Sequence, residues 1–189
     1  RAASAGTATL HILPAEAARP WLPDGGSTEQ ERLRILGDNL DTLRASIGRV
    51  PDIQAAAAWL AGLVHERGWR RVACHGHALV DGATAGLGAV AERVDAGAGV
   101  DKVSLAGVDA GVTACEALIA QTGSILVSSA TCGGRALSIL PHVHVVVATV
   151  DQVVGTLADG FDLVRERSGG RLPSMLSFIT GPSRTGDIE

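Results

Sequence analysis

Residues 111–150 read GVTACEALIAQTGSILVSSATCGGRALSILPHVHVVVATV, and the reading of this stretch decides the fold. Ile125–Val127 and Val143–Val147 are apolar, β-branched and too short for helices. Such runs predict strands covered on both faces, as in a parallel sheet. Thr113 and Glu116 have the spacing of a capping box, which predicts a short helix over Thr113–Ala120. Between these pieces lie Thr122-Gly123-Ser124 and Gly133-Gly134-Arg135. Glycine lets a backbone approach a ligand closely, and arginine grips a carboxylate or phosphate through two hydrogen bonds.

Working outward, the alternation continues. On the amino-terminal side Arg71–Cys74 reads as a strand, Gly82–Arg93 as an Ala-rich helix and Val103–Leu105 as a second strand. On the carboxyl-terminal side Ala136–Leu140 reads as a turn of helix closed by Pro141. Val153, Leu157, Phe161 and Val164 mark a helix ahead of Gly169-Gly170, and Ser177–Ile179 reads as the fifth strand. Strands alternating with helices predict an α/β domain: a mostly parallel open sheet of about five or more strands with helices on both faces. A helical segment precedes it. Ser27 and Gln30 offer a capping box, and Leu33, Leu36, Leu40, Leu43 and Ile47 form a stripe ended by Gly48. Pro51 suits the first turn of a second helix with Ile53, Ala56, Leu60 and Val64 inward and Gly68 after its end. Residues 1–27, rich in Ala, Gly and Pro, read as a flexible arm, and residues 28–189 as a single domain.

Composition narrows the function. The 189 residues include 46% hydrophobic and 19% charged, which is globular. A net charge of -4 without a basic face argues against nucleic acid and anionic membrane. No apolar run reaches the ~18 residues of a membrane span. Arg1-Ala2-Ala3-Ser4-Ala5 lacks the apolar core of a signal peptide and no initiator Met precedes it, so a trimmed start and a cytoplasmic location are expected. Cys74, Cys115 and Cys132 are odd in number and form no Cys-x-x-Cys clip, so no disulfide framework, zinc site or iron–sulfur cluster is expected in this chain.

Ligands of open α/β sheets bind beyond the carboxyl ends of strands. By the strand assignment above, four segments qualify: His75-Gly76-His77, Gly107-Val108-Asp109, Ser128–Arg135 and Thr180–Thr185. Converging, they would give a crevice rich in glycine and hydroxyls with Arg135 and Arg184, suited to a small anion. The ligand-binding candidates are Thr122, Gly123, Ser124, Gly134, Arg135, Gly181, Ser183, Arg184 and Thr185. Each has a plainer reading: a helix-to-strand turn for Thr122–Ser124, a tight turn for Gly133-Gly134, an ion pair with Asp187 or Glu189 for Arg184. His75 and His77 lack the further ligands a metal needs, Cys132 reads as an inert thiol, and His142 and His144 as strand-edge residues. The glycines fit neither a dinucleotide fingerprint nor a P-loop.

The terminal Ile179-Thr180-Gly181-Pro182-Ser183-Arg184-Thr185-Gly186-Asp187-Ile188-Glu189 resembles the ITGPSRTADIE signature of the LUD-domain family. Gly111-Val112-Thr113, Gln121–Ser124, Gly134-Arg135 and Leu140-Pro141-x-x-His144 resemble the family's GVT, ETGT, NGR and LPPxH elements in the same order. The likeness runs from about Arg71 to Glu189. It implies a fold similar to the glucosamine-phosphate isomerase, ribose-phosphate isomerase and CoA-transferase superfamily, and a Gly-rich loop and last strand after Glu189. It also implies a part in oxidising L-lactate to pyruvate with partner subunits that carry the iron–sulfur clusters. It supplies no catalytic residue. Gln121 stands where the family has an acid, Gly133 where it often has Asn, His142 where Pro is usual and Gly186 where Ala is usual.

Three function classes follow. The first is an accessory subunit of a lactate-utilisation system with iron–sulfur partners, Arg184 holding a small organic anion with Ser183 and Thr185. The second is a stand-alone enzyme of the sugar-phosphate isomerase or CoA-transferase kind, which needs a carboxylate as base or nucleophile; Glu116 is the first candidate and Asp109 the next. The third is a structural scaffold.

Overall fold

The computed structural model describes residues 22–97, 100–170 and 172–182. Helix α1, Glu29–Thr42, starts one residue later than Ser27 and Gln30 predict. Its box is Thr28 with Glu31: Thr28 Oγ1 accepts from the Glu31 N–H at 3.2 Å, and the Glu31 carboxylate accepts from the Thr28 N–H at 3.0 Å. A carboxylate is the stronger partner at the positive end of a helix, so Glu31 prevails over Gln30. Leu36 and Leu40 are buried as the stripe predicts. The helix stops before Gly48, because Leu43 caps it and Arg44 turns left-handed at φ 58°. Helix α2, Ile53–Arg67, is capped by Asp52, which accepts from the Ala55 N–H at 2.8 Å; Pro51 stands just outside the first turn. Gly68, at φ 65°, closes it.

Among the described residues eight strands follow: β1 (Arg71–Cys74), β2 (Glu92–Asp95), β3 (Ala110–Thr113), β4 (Ala117–Ile119), β5 (Ser124–Ser128), β6 (Val143–Val146), β7 (Val153–Val154) and β8 (Leu176–Ile179). Three α-helices lie among them, α3 (Ala78–Ala83), α4 (Lys102–Ala106) and α5 (Leu157–Arg167), with single 3-10 turns at Leu87–Ala89 and Val150–Gln152. The strands form two sheets of four. The first, in the order β2-β1-β3-β6, is parallel throughout. Val72, Cys74 and Val112 pack with Leu60, Val64 and Val80 of α2 and α3, while Ala73 packs on the other side with Leu105 of α4, Val108 and Leu137. Helices on both faces are what the α/β pattern predicts, and each buried Leu or Val of these layers contributes about 1.5–3 kcal/mol.

The second sheet, in the order β7-β4-β5-β8, is mixed. β5 runs antiparallel to both β4 and β8. The strand expected over Ile125–Val127 is therefore present and slightly longer, but in antiparallel company. α5 covers one face through Val164 and Leu157 against Ile119, Leu126 and Phe178. α1 covers Ala120 and Val153. Cys115, Val127 and Cys132 fill the seam with Val146 of the first sheet and Met175.

Several expected elements differ. Val103–Leu105 lies in α4, capped by Asp101, whose Oδ2 accepts from the Ser104 N–H at 3.1 Å. Its apolar pattern is one-sided, since Leu105 is buried and Val103 is 78% exposed. No helix spans Thr113–Ala120: Thr113 ends β3 with its hydroxyl 2.8 Å from His144 Nε2, and Glu116 leads into β4. Within Gly82–Arg93, α3 ends at Ala83 and β2 begins at Glu92. The helix expected from Val153 begins at Leu157 on a Thr156–Asp159 box, leaving Val153–Val154 to β7. Of the expected arm over residues 1–27, residues 1–21 lie outside the described residues; Pro23 is tied to the body by a 2.7 Å hydrogen bond from Gln121 Nε2 to its carbonyl.

His144 lies in the edge strand β6, where burial pushes its imidazole down to about 4. An unfolded imidazole titrates near ~6.5. Between these values the unfolded chain takes the proton first, so stability is lost as pH falls through the window. With its partial exposure discounted, we expect His144 to remove about 2 kcal/mol between pH 7 and pH 4, and His144→Gln to flatten that slope in urea titrations.

Candidate functional site

The parallel sheet aims the carboxyl ends of β1, β3 and β6 at one place. β1 delivers His75 and His77, β3 delivers Cys115 and Glu116, and β6 leads to Thr149, Asp151 and Gln152. A cleft of about 480 Å³ opens there, its wall completed by Thr131 after β5 and by Arg167 at the end of α5. This is where open α/β sheets bind ligands.

Glu116 is the buried acid of the cleft, 8% exposed. Its Oε1 accepts from Ser128 Oγ at 2.5 Å. Ser128 is fully buried, and its Oγ accepts in turn from the Ala130 N–H at 3.1 Å and the Thr131 N–H at 3.3 Å. Arg167 Nη1 donates to the Glu116 carbonyl at 3.1 Å, and Nη2 stands 3.8 Å from Asp151. A guanidinium has five N–H donors, so others stay free. Gln152 straps the wall, Nε2 donating to the Cys115 carbonyl at 2.6 Å and Oε1 accepting from the Thr149 N–H at 2.8 Å. His77 Nδ1 accepts from the Leu79 N–H at 3.3 Å, which leaves the neutral ring its proton on Nε2.

Behind His77, with ring centroids 5.9 Å apart, His75 is 4% exposed. Burial pushes its imidazole below the usual range, with the Thr131 backbone working the other way. Its Nε2 is the one buried side-chain polar atom without a partner among the described residues. Gly133, at φ 63°, lies against it: a Cβ there would stand 2.5 Å from His75 Cβ. Burial raises all three thiols, Cys115 to about 12, so none is a thiolate near neutral pH. Among the described residues no three or more His, Cys, Asp and Glu side chains cluster so as to hold a metal ion, and no helix is long and apolar enough to cross a membrane.

Those expected ligand residues that the structure describes fall into two clusters. Thr122, Ser124 and Thr180 form a hydroxyl chain with both links at 2.7 Å. Gly123 and Gly181, at φ 66° and 75°, lie under Leu43: a Cβ would come 2.9 Å from Leu43 Cδ1 at the first and 3.1 Å from Leu43 Cβ at the second. Their smallness is what lets the end of α1 settle there. Gly134 and Arg135 belong to the other end of β5, where Arg135 is exposed and its Nη2 donates to the Ser174 carbonyl at 3.4 Å. The ends, Ser124 and Ser128, are four residue steps apart, roughly 13 Å. Because β5 and β8 are antiparallel, Thr180 and Gly181 lie at the opposite end of β5 from Gly134 and Arg135. Ser183, Arg184 and Thr185 lie outside the described residues. Asp109 precedes β3 instead of following a strand, at the end of the sheet away from the cleft. It accepts from the Arg71 and Arg70 N–H groups at 2.9 and 2.8 Å, which hold its carboxyl below the usual range.

Sequence reasoning misses Thr149, Asp151, Gln152 and Arg167. The strand-end rule applied to Val143–Val147 finds the first three; Arg167 carries no signal beyond a basic residue in a last helical turn.

An open parallel sheet with a polar cleft at its carboxyl edge defines an α/β domain with its candidate site where such sheets take ligands. Its architecture is that of a DUF162 family protein from Deinococcus radiodurans, whose crystal structure matches with a TM-score of 0.67 at 25% identity over 82% of this chain and 90% of that one. The chain belongs to the LUD domain family, whose model matches residues 38–189. Similar proteins include lactate utilization protein C of Shouchella clausii, 33% identical over 43% of this chain and 36% of that protein. Its namesake in Deinococcus radiodurans is 38% identical over 43% of this chain and 38% of its own length. The matched part thus spans little more than a third of these relatives.

Proposed function

We propose that this chain is an accessory subunit of a lactate-utilisation system, acting in the cytoplasm with iron–sulfur proteins that oxidise L-lactate to pyruvate and holding a small organic anion. The observation that carries the reading is the likeness to proteins named lactate utilization protein C. The polar cleft with an accessible arginine supports the anion. In this reading the clusters belong to the partners, and the chain contributes binding and positioning. The test is affinity purification of the tagged protein from cells grown on L-lactate and on glucose, with identification of co-purifying proteins and iron quantification. Iron–sulfur proteins enriched on lactate are the expected result. A solitary, iron-free protein under both conditions contradicts it.

One observation favours a second reading, a self-sufficient enzyme related to sugar-phosphate isomerases or CoA-transferases: the Glu116 carboxylate lines the cleft at the end of β3. Turnover of a sugar phosphate or CoA ester by the purified chain alone would favour that reading over the first.

A further inference from the structure

We propose that the outward face of α2 is a two-fold dimer interface, packing antiparallel against the same face of a second copy of this chain with Gln54 of each copy set against Glu66 of the other.

A helix at a protein surface carries its charges on the outer side. α1 shows Glu29, Arg34 and Asp38 to solvent, and α5 shows Asp162, Arg165 and Glu166. α2 has no charged residue over positions 53–64, although one side of it faces water. Leu60 and Val64 are buried on its inner side. Gln54, Ala58, Gly62 and Glu66 are all exposed and four apart, so they stack as one row along the outer side. A Cβ at Gly62 would meet nothing within 4 Å. Beside the row the Trp59 indole is 44% exposed. Gly48 stands against that indole, since a Cβ there would fall 2.9 Å from Cε2. The loop that holds the exposed Ile47 and Val50 therefore continues the apolar surface.

A contiguous apolar surface of this kind marks a protein interface. The order of the row selects the occupant. In an antiparallel pair Gln54 meets Glu66 of the second copy and Ala58 meets Gly62 of the second copy, and the two-fold axis makes each pair twice. The Gln54 amide donates to the carboxylate, which also gains the positive amino-terminal end of the facing helix. Between these polar ends the facing side chains are uncharged, so no charge is buried without a partner. A parallel pair would set Glu66 against Glu66 and like helix ends together. One helix of 15 residues, about 22 Å long, covers less than the ~800 Å² per partner of a standard interface, so the dimer should be concentration-dependent with a Kd on the order of 10 µM.

The test is sedimentation equilibrium of the purified full chain from about 1 to 200 µM, over which wild type is expected to pass from monomer to dimer. Gly62→Arg fits the open side of a lone helix and raises its helix propensity, so it should fold as wild type does and weaken the dimer at least about 10-fold. Gln54→Glu puts an acid in the first turn of α2, which favours the folded monomer, yet sets it against Glu66 in the dimer. Association should therefore weaken about 3-fold or more while folding does not suffer. Gln54→Arg should tighten association by a similar factor through a charge-assisted bond. The proposal is overturned if wild type stays monomeric throughout, if folded Gly62→Arg dimerises as wild type does, or if the two Gln54 variants shift association in the same direction. A different protein held on this face by a chain that stays monomeric also overturns it.

Discussion

Gly111→Val is expected to destabilise the domain by about 3 kcal/mol or more, enough to leave much of it unfolded at 37 °C. Gly111 lies in β3, the inner strand between β1 and β6, in register with Ala73 and His144. A Cβ there would stand 2.6 Å from the Leu137 carbonyl oxygen and 2.9 Å from Pro141 Cγ. The first is backbone, in a turn held by Leu140 N–H donating to the Ala136 carbonyl at 2.9 Å, and the second is a rigid ring. Neither can swing aside as a long side chain does, so the strand or the turn must move and the carboxyl-end cleft moves with it. Urea denaturation at pH 7 reads the effect; a loss under 1 kcal/mol would show that this layer yields more than its packing indicates.

Ser128→Ala should cost about 3 kcal/mol by another route. The Ser128 hydroxyl satisfies Glu116 and accepts from two backbone N–H groups, those of Ala130 and Thr131. Removing it takes a donor from the largely buried Glu116 carboxylate and an acceptor from the buried Thr131 N–H, while the Ala130 N–H, on an exposed residue, can turn to water. The loss therefore exceeds the ~1 kcal/mol of an ordinary hydrogen bond. Denaturation of Ser128→Ala alone and with Glu116→Gln apportions the cost: the double variant should be less than additive, because the amide tolerates the missing donor better than the carboxylate does. Strict additivity would mean that the two side chains act independently.

The legible parts of the fold are those set by local pattern. The stripes of α1 and α2, the Gly68 stop, β1 and the cores of β5, β6 and β8 follow from periodicity and short β-branched runs. β3 was hidden because Ala-Gly-Val-Thr has little hydrophobic contrast; its burial comes from helices on both faces, which no local rule supplies. The Thr113–Glu116 spacing imitates a capping box, yet tertiary pairing with β6 and β5 claims those residues for strand ends. Pairing direction is non-local as well, so the division into a parallel and a mixed sheet could not be read, nor could the separation of Thr122–Ser124 from Gly134-Arg135. Of the site, Glu116 was legible from residue type alone, and the His75–His77 segment from its position after a strand. Arg167 reaches the cleft only because α5 packs across Ile119 and Leu126.

The most direct test of the central claim, that the cleft serves lactate utilisation, is growth on L-lactate of a strain whose only copy carries Arg167→Gln. The account predicts loss of growth on L-lactate, unchanged growth on glucose and a wild-type level of the protein. Wild-type growth on L-lactate would contradict it.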